Sequence, residues 1–494
     1  MTYKIMKKIL CIIMSIGVIL SAGSCKGFLD DTPTDSVPAS KASVTLEDAG
    51  VAVNGLYTLL KYYTLYGGTM ITMGDMRADN LYPKEVSGTG SIAYALEYEP
   101  SANNYFSLWT SYYTAIMRAN TLIANISDLN VTSDSDIAKK NNYLGEAYSV
   151  RALCYFDLAR LYGKPYLYDQ GASLGAVIVT KPVAPSEAKL PRSTVAETYT
   201  QVASDLTAAL PLLSTDKNLG HFNYWGAKLL QARMYLYMGN YAEAYKSAKE
   251  VITKSPYSLV PNADYLTSWG VEGNSESVLE VLVSTSGDID GDAGFDGGFY
   301  NYLWFDDSNA GASVVPTLKW RKLFASTPND VRAQMIQYDD PVTGVKKSGK
   351  YWLKKFVGNK TQGYTFRRNN PHILRLAEAY LIAAEAGVET GAADASSFLN
   401  AVRERADATA TDVVATKTLV DLENQKEFIG EGHRFFDIMR RGGSLSRSMV
   451  DDPDDFAGAI PYTISWDDYR VALPISSIER VTYKELQQTP GYKD

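Results

Sequence analysis

The run GEAYSVRALCYFDLARLYGKP, residues 145–165, decides how this chain is built. Ala147, Val150, Cys154, Leu158 and Leu161 recur at steps of three and four, which places them on one face of a helix. A stripe of that kind belongs to a core. Gly163 is expected to close the helix in the left-handed conformation, and Pro165 cannot extend it. Cys154 falls on the stripe with two bulky aromatics after it, so it reads as a small buried hydrophobe rather than a nucleophile.

Helical periodicity continues on both sides. Residues 46–63, 106–129 and 137–162 form an early block, and 193–213 extends it with Asp205-Leu206 near its end. Residues 225–238 and 241–252 flank the turn Gly239-Asn240; Ala227, Leu230, Met234 and Tyr237 line one helix, Ala244, Ala248 and Val251 the other. That is an antiparallel helical hairpin, similar to a tetratricopeptide unit, although no strict period of about 34 residues runs along the chain. Between 256 and 370 glycine, asparagine, aspartate and aromatics replace the helical stripes, with strand-like pieces such as 278–283. Residues 69–104 and 444–464 are also expected to be loops, and loops on a rigid frame are where binding residues concentrate.

Particular residues recur in a set order. Gly145-Glu146-Ala147, Arg151-Ala152, Tyr155-Phe156-Asp157-Leu158 and Leu161-Tyr162-Gly163 follow Trp109, Tyr112 or Tyr113, Ile116, Ala119 and Asn120. Further on come Arg375-Leu376-Ala377-Glu378, Tyr380-Leu381, Ala384-Glu385-Ala386, Leu399-Asn400, Arg403, Arg405 and Ala406. Then Glu427, Glu431-Gly432, Arg434, Phe436-Asp437 and Arg440 lead to Leu473-Pro474-Ile475 and the tail Gln488-Thr489-Pro490-Gly491-Tyr492. This series resembles the SusD/RagB family of surface lipoproteins, with Thr489 departing from the usual Asn. The resemblance implies an all-α scaffold of tetratricopeptide-like helical hairpins with a loop-rich insertion carrying short strands. Its later helices are expected over 371–387, 394–406 and 419–439. It also implies non-catalytic capture of nutrients, usually glycans, for a SusC-like TonB-dependent transporter. Peptide capture, as in RagB-type relatives, is the alternative within the binding class, and a surface glycoside hydrolase the alternative outside it.

The N-terminus reads as a processing signal. Lys4, Lys7 and Lys8 precede an apolar run, 9–20, which is shorter than the ~20 residues a bilayer span needs. Ala22-Gly23-Ser24-Cys25 resembles a lipobox, with Ser21 and Ala22 departing from the usual Leu, and implies acylation of Cys25. Cleavage by an ordinary signal peptidase is the alternative. Asp30 and Asp31 resemble the tag that carries such lipoproteins to the outer face of the outer membrane. The expected organisation is a signal peptide over 1–24, a lipidated tether over 25–41 and one composite unit over 42–494. Within that unit the scaffold covers 42–255 and 371–442, the insertion 256–370, and a C-terminal loop region 443–494.

Composition narrows the chemistry. Net charge is −8, or −11 without the three signal lysines, which argues against nucleic acid as a partner. Cys11 and Cys25 lie in the export segment, so Cys154 is the lone thiol of the body and no disulfide framework forms. Three histidines, His221, His372 and His433, with no HExxH or CxxC, leave the usual zinc frameworks without ligands. His433 reads as a helix-start residue. Asp288, Asp290, Asp292 and Asp296 resemble a calcium loop but place Ala293 and Phe299 where Gly and Glu belong, so no metal or other cofactor is expected. The carboxylate runs Asp306-Asp307 and Asp451-Asp452-Pro453-Asp454-Asp455 read as solvated loops.

Sugar recognition needs aromatic faces for C–H groups and polar partners for hydroxyls. Two segments supply both. The first carries Asp75, Arg77, Asn80, Tyr98, Asn103 and Tyr105; the second, in the insertion, carries Tyr300, Tyr302 and Trp304. These nine are the candidate glycan-binding residues, with Trp304, Tyr300 and Tyr302 as the stacking platform and the resemblance implying that the two regions meet at one cleft.

Overall fold

The computed structural model describes residues 45–83, 98, 100, 107–184, 187, 189–283, 314–338, 351–363, 368–407, 409–447 and 462–493. Its first half is a stack of helices: α1 (Leu46–Lys61), a short α2 (Thr69–Asp75), α3 (Ser107–Ser127), α4 (Asp134–Tyr162), α5 (Val195–Ala209), α6 (Tyr224–Tyr237) and α7 (Tyr241–Lys254). Side chains that satisfy the orphan N–H groups start most of them: Thr45 and Thr194 form capping boxes with Asp48 and Glu197, and Ser133, Asn223 and Asn240 cap α4, α6 and α7. Gly239 takes φ 71° in the turn between α6 and α7, as the hairpin requires.

Helix α4 is the spine. It is mostly buried from Gly145 to Tyr162, and it packs against both α3 and α5. Two polar residues of the opening motif explain why it lies there. Arg151 makes a bidentate pair with Asp205 of α5 at 2.9 and 2.6 Å and reaches Asn120 of α3 at 2.6 Å. Asp157 accepts from the Tyr66 and Tyr112 hydroxyls at 2.7 and 2.9 Å. Cys154 is fully buried, and burial pushes its thiol pKa up, in keeping with a packing role. Gly163 differs from expectation: its φ is −108°, not left-handed. A Cβ there would stand 2.4 Å from Val195 Cγ2 and 2.7 Å from the Ala159 carbonyl, so glycine is needed for close approach.

After α7 the chain leaves the stack and returns as strand, then helix. Among the described residues eight short strands pair into antiparallel ribbons: β1 (Leu81–Pro83) with β3 (Val314–Pro316), β2 (Ser277–Glu280) with β6 (His372–Arg375), β4 (Ile336–Tyr338) with β5 (Tyr351–Leu353), and β7 (Ser444–Arg447) with β8 (Tyr462–Ser465). The β6 strand occupies the start of the span 371–387 expected to be helical, and α8 begins at its end (Leu376–Thr390). Helix α8 packs on α7 and on α9 (Ala395–Ala406), so the stack resumes across the insertion and one frame holds both halves.

The expected helix 419–439 is two: α10 (Lys417–Glu427) and α11 (Arg434–Arg440). Gly430 and Gly432 between them take φ 80° and 79°, which ends the first helix and turns the chain before the second. His433 is the residue before α11 and stacks on Phe428 at 4.6 Å, the helix-start role expected of it. The six-residue helix α12 (Ser477–Thr482) precedes the tail.

Candidate ligand-binding site

The segment 74–83, which carries the candidates Asp75, Arg77 and Asn80, is a mostly buried anchor. It includes the end of α2, a turn and β1, where a loop was expected. A Cβ on Gly74 would lie 1.9 Å from the Gly432 carbonyl, so two backbones meet there without room for a side chain. Asp75 is fully buried and its Oδ2 accepts from the Gly432 N–H at 2.6 Å. Burial pushes its pKa up to about 7, against the Gly432 hydrogen bond that lowers it.

Arg77 is equally buried. Its Nη2 donates to the Arg470 and Val471 carbonyls, both at 2.7 Å, while the guanidinium lies 3.8 Å from the Phe435 ring centroid and 5.5 Å from that of Tyr98. Asn80 accepts from Gln425 at 2.8 Å through its side chain and from the Thr317 N–H at 2.9 Å through its carbonyl. Tyr98 is 6% exposed. Asp75, Arg77 and Asn80 are thus buried, with the hydrogen bonds given above made inside the protein. Asn103, Tyr105, Tyr300, Tyr302 and Trp304 lie outside the described residues, as do Cys25 and the four aspartates of the calcium-like loop.

What the anchor holds is the origin of both polar-aromatic segments. Leu81, Tyr82 and Pro83 pair antiparallel with Pro316, Val315 and Val314. The first segment leaves the ribbon after Pro83, and the second re-enters it at Val314, one residue directly opposite the other. Asp79 fixes the ribbon from below: it accepts from Arg434 Nε at 2.8 Å and from Lys319 Nζ at 2.7 Å, and its carbonyl accepts from the Thr317 hydroxyl at 2.9 Å. Burial would raise the Asp79 pKa, but the two cations outweigh it and hold the carboxyl well below the usual range.

The Glu-Gly element that receives Asp75 is itself set in a buried ion network. Glu427 pairs with Arg332, Arg375 and Arg405 at 2.9, 3.0 and 2.7 Å; Glu431 pairs with Arg375 at 2.7 Å and Lys355 at 2.6 Å; Glu276 pairs with Arg375 at 3.1 Å and Arg405 at 2.8 Å. Burial opposes ionisation of Glu427, yet Arg405, Arg375 and Arg332 hold its pKa far below the usual carboxylate value. The network joins residues of the insertion, Glu276, Arg332 and Lys355, to α9, α10 and the Glu-Gly turn. One rigid base thus underlies the ribbon.

A second polar cluster was not foreseen from the sequence. Ser277 Oγ lies 3.3 Å from His372 Nδ1, and Glu280 Oε2 lies 3.8 Å from the same nitrogen. A proton relay needs the nucleophile and the acid on opposite ring nitrogens, which this cluster lacks. Burial lowers the His372 pKa to about 4 and raises that of Glu280 to about 7, so their charges are suppressed. Among the described residues no group of His, Cys, Asp or Glu side chains forms a metal site.

Residues 232–492 match the SusD family, more than half of the chain. The chain belongs to the SusD family. Residues 28–236 match a further SusD-like group, described as starch-binding and associating with the outer membrane. A SusD superfamily protein from Bacteroides thetaiotaomicron is similar in structure, with 32% identity, a TM-score of 0.82 and coverage of 90% of this chain and 100% of that one. Another from Bacteroides vulgatus has 32% identity, a TM-score of 0.79 and coverage of 91% and 100%. SusD-like protein P25 of Formosa agariphila is 26% identical over 88% of this chain and 90% of its own length. A laminarin-binding SusD-like protein shares the fold at 23% identity, with a TM-score of 0.71 and coverage of 90% and 99%. The anchors Arg375, Glu427, Glu431, Gly432 and Arg434 are the residues whose order carried the family resemblance, and their burial in one network accounts for that order.

Proposed function

We propose that this protein captures oligosaccharides without cleaving them and passes them to a SusC-like TonB-dependent barrel in the outer membrane. The observation that carries the reading is the pairing of β1 with β3, which brings the origins of the two polar-aromatic segments together. Segments rooted side by side on a rigid base can present Trp304, Tyr300 and Tyr302 beside Asn103 and Tyr105, giving one ligand both stacking faces and hydroxyl partners. Tyr98 packs against Arg77. The family's description as starch-binding and membrane-associating supports the ligand class and the location.

Anchoring would come from a lipidated Cys25, with the protein facing the exterior. A binder does not move its ligand across a membrane, so a channel partner is required, and enclosure between two surfaces raises capture through effective concentration. The test has three parts. A labelled oligosaccharide that binds on a glycan array should be recovered intact after incubation, Cys25→Ala should release the protein from membranes, and affinity purification from detergent-solubilised outer membranes should recover a barrel-sized protein in near-equal amount. Cleavage of the sugar would instead favour a hydrolase; binding of peptides without sugars would favour peptide capture.

A further inference from the structure

A cleft of about 560 Å³ opens among α3, the extended stretch between α4 and α5, and the chain around α12. Among the described residues, its lining includes none of Asp75, Arg77, Asn80 and Tyr98. Trp109, Tyr113 and Met117 of α3 line it together with Val177, Val179 and Tyr483. Trp109 and Tyr113 have ring centroids 4.8 Å apart at 48°, and Trp109 is backed edge-on by Tyr162 at 4.9 Å.

The extended wall is held in place by two tyrosines instead of a neighbouring strand. The Tyr113 hydroxyl accepts from the Val177 N–H at 2.6 Å and donates to its carbonyl at 2.9 Å; Tyr155 does the same for Val179 at 2.8 and 2.7 Å. The concavity is therefore preformed, and its size suits a small molecule.

The polar groups of the cleft specify the ligand further. The hydroxyl of Thr114 donates to the Thr110 carbonyl at 2.9 Å, that of Thr482 to the Ile478 carbonyl at 3.0 Å, and that of Thr110 to Glu479 Oε1 at 2.5 Å. With the Tyr113 hydroxyl also engaged, these four hydroxyls have their protons committed inside the protein, which leaves the cations as the donors of the cleft. Two exposed cations, Arg118 and Lys189, line the cleft and make no ion pair among the described residues, although the chain as a whole is acidic. Trp, Tyr and Met side chains favour a flat ring, through aromatic edges, faces and sulfur contact.

We infer that this cleft binds a small aromatic acid, its ring between Trp109 and Tyr483 and its carboxylate toward Arg118 and Lys189. The inference stands whether or not the chain binds sugar elsewhere.

The probe is 2-naphthoate, titrated calorimetrically into the Cys25→Ala protein lacking its signal peptide. The inference expects saturable one-to-one binding, weakened about tenfold in the Arg118→Ala/Lys189→Ala double variant as a charge-assisted contact is lost. Met117→Trp, which fills the cleft, should abolish binding while circular dichroism stays unchanged. Equal affinity for uncharged 2-naphthalenemethanol would overturn the anion preference, and equal or tighter binding of decanoate would overturn the aromatic one. Absence of naphthoate binding would overturn the site. Binding that appears only after deletion of residues 26–44 would overturn it too, by making the chain's own N-terminal stretch the occupant.

Discussion

Tyr82 stands opposite Val315 in a two-stranded antiparallel ribbon, although one belongs to the first helical block and the other to the insertion. That pairing makes neighbours of two segments that are remote in sequence, and Asp79, clamped between Arg434 and Lys319, keeps it in place. If the ribbon organises ligand capture, Val315→Pro should impair it. Proline removes a ladder donor and fixes φ at about −65°, away from regular strand geometry. Calorimetric glycan affinity should fall at least tenfold and the unfolding midpoint should drop.

Arg77 and Trp304 should separate cleanly by readout. Arg77→Ala leaves the Arg470 and Val471 carbonyls without their donor, and each buried group so stranded costs about 1–3 kcal/mol. Denaturant unfolding should show that loss of stability. Trp304→Ala should keep the stability of the parent and lose sugar binding.

Glu427→Gln should be among the most destabilising changes in the chain, because it leaves Arg332, Arg375 and Arg405 without a shared charge. Removing one partner from a buried ion pair costs about 3–5 kcal/mol. The same carboxylate sets an acid limit. Its folded pKa is depressed, so its contribution is present above the unfolded value of about 4.5 and is lost as pH falls toward the folded one. Thermal scans below pH 5 should show stability falling less steeply in the Gln variant than in the parent.

Asp75 works in the opposite direction. Its pKa is raised to about 7 by burial, so the folded state holds a proton that the unfolded chain releases above the ordinary carboxylate value of 3.8. Stability from this group is full below that value, declines as pH rises toward 7 and is then level. Asp75→Asn keeps an acceptor for the Gly432 N–H and removes the titration. Unfolding measured from pH 4 to pH 8 should therefore decline less in the variant than in the parent.

Much of the scaffold was legible because apolar periodicity is local. The stripe from Ala147 to Leu161 and the hairpin at Gly239 follow from spacing within one or two helices. Breaks caused by distant partners were not legible. Strand β6 exists because His372–Arg375 finds Ser277–Glu280 across the insertion, and Gly163 is required by the approach of Val195 rather than by its own φ. The partners of the candidate site residues were hidden for the same reason. Asp75, Arg77 and Asn80 have the side chains of a sugar site, yet their partners are Gly432, two carbonyls near Arg470 and Gln425, far along the chain. Arg375, Glu427 and Arg434 were recognisable by their order, whereas Glu276, Arg332 and Lys355 carried no local signal of the network they complete.

The most direct measurement of the central claim is calorimetric titration of the soluble Cys25→Ala protein with an oligosaccharide selected on a glycan array, in parallel with its Trp304→Ala variant, followed by chromatography of the sugar. Saturable binding, an affinity loss of about tenfold or more in the variant and a sugar recovered intact are the predicted results. Equal affinity in the two proteins, or a shortened sugar, would contradict the account.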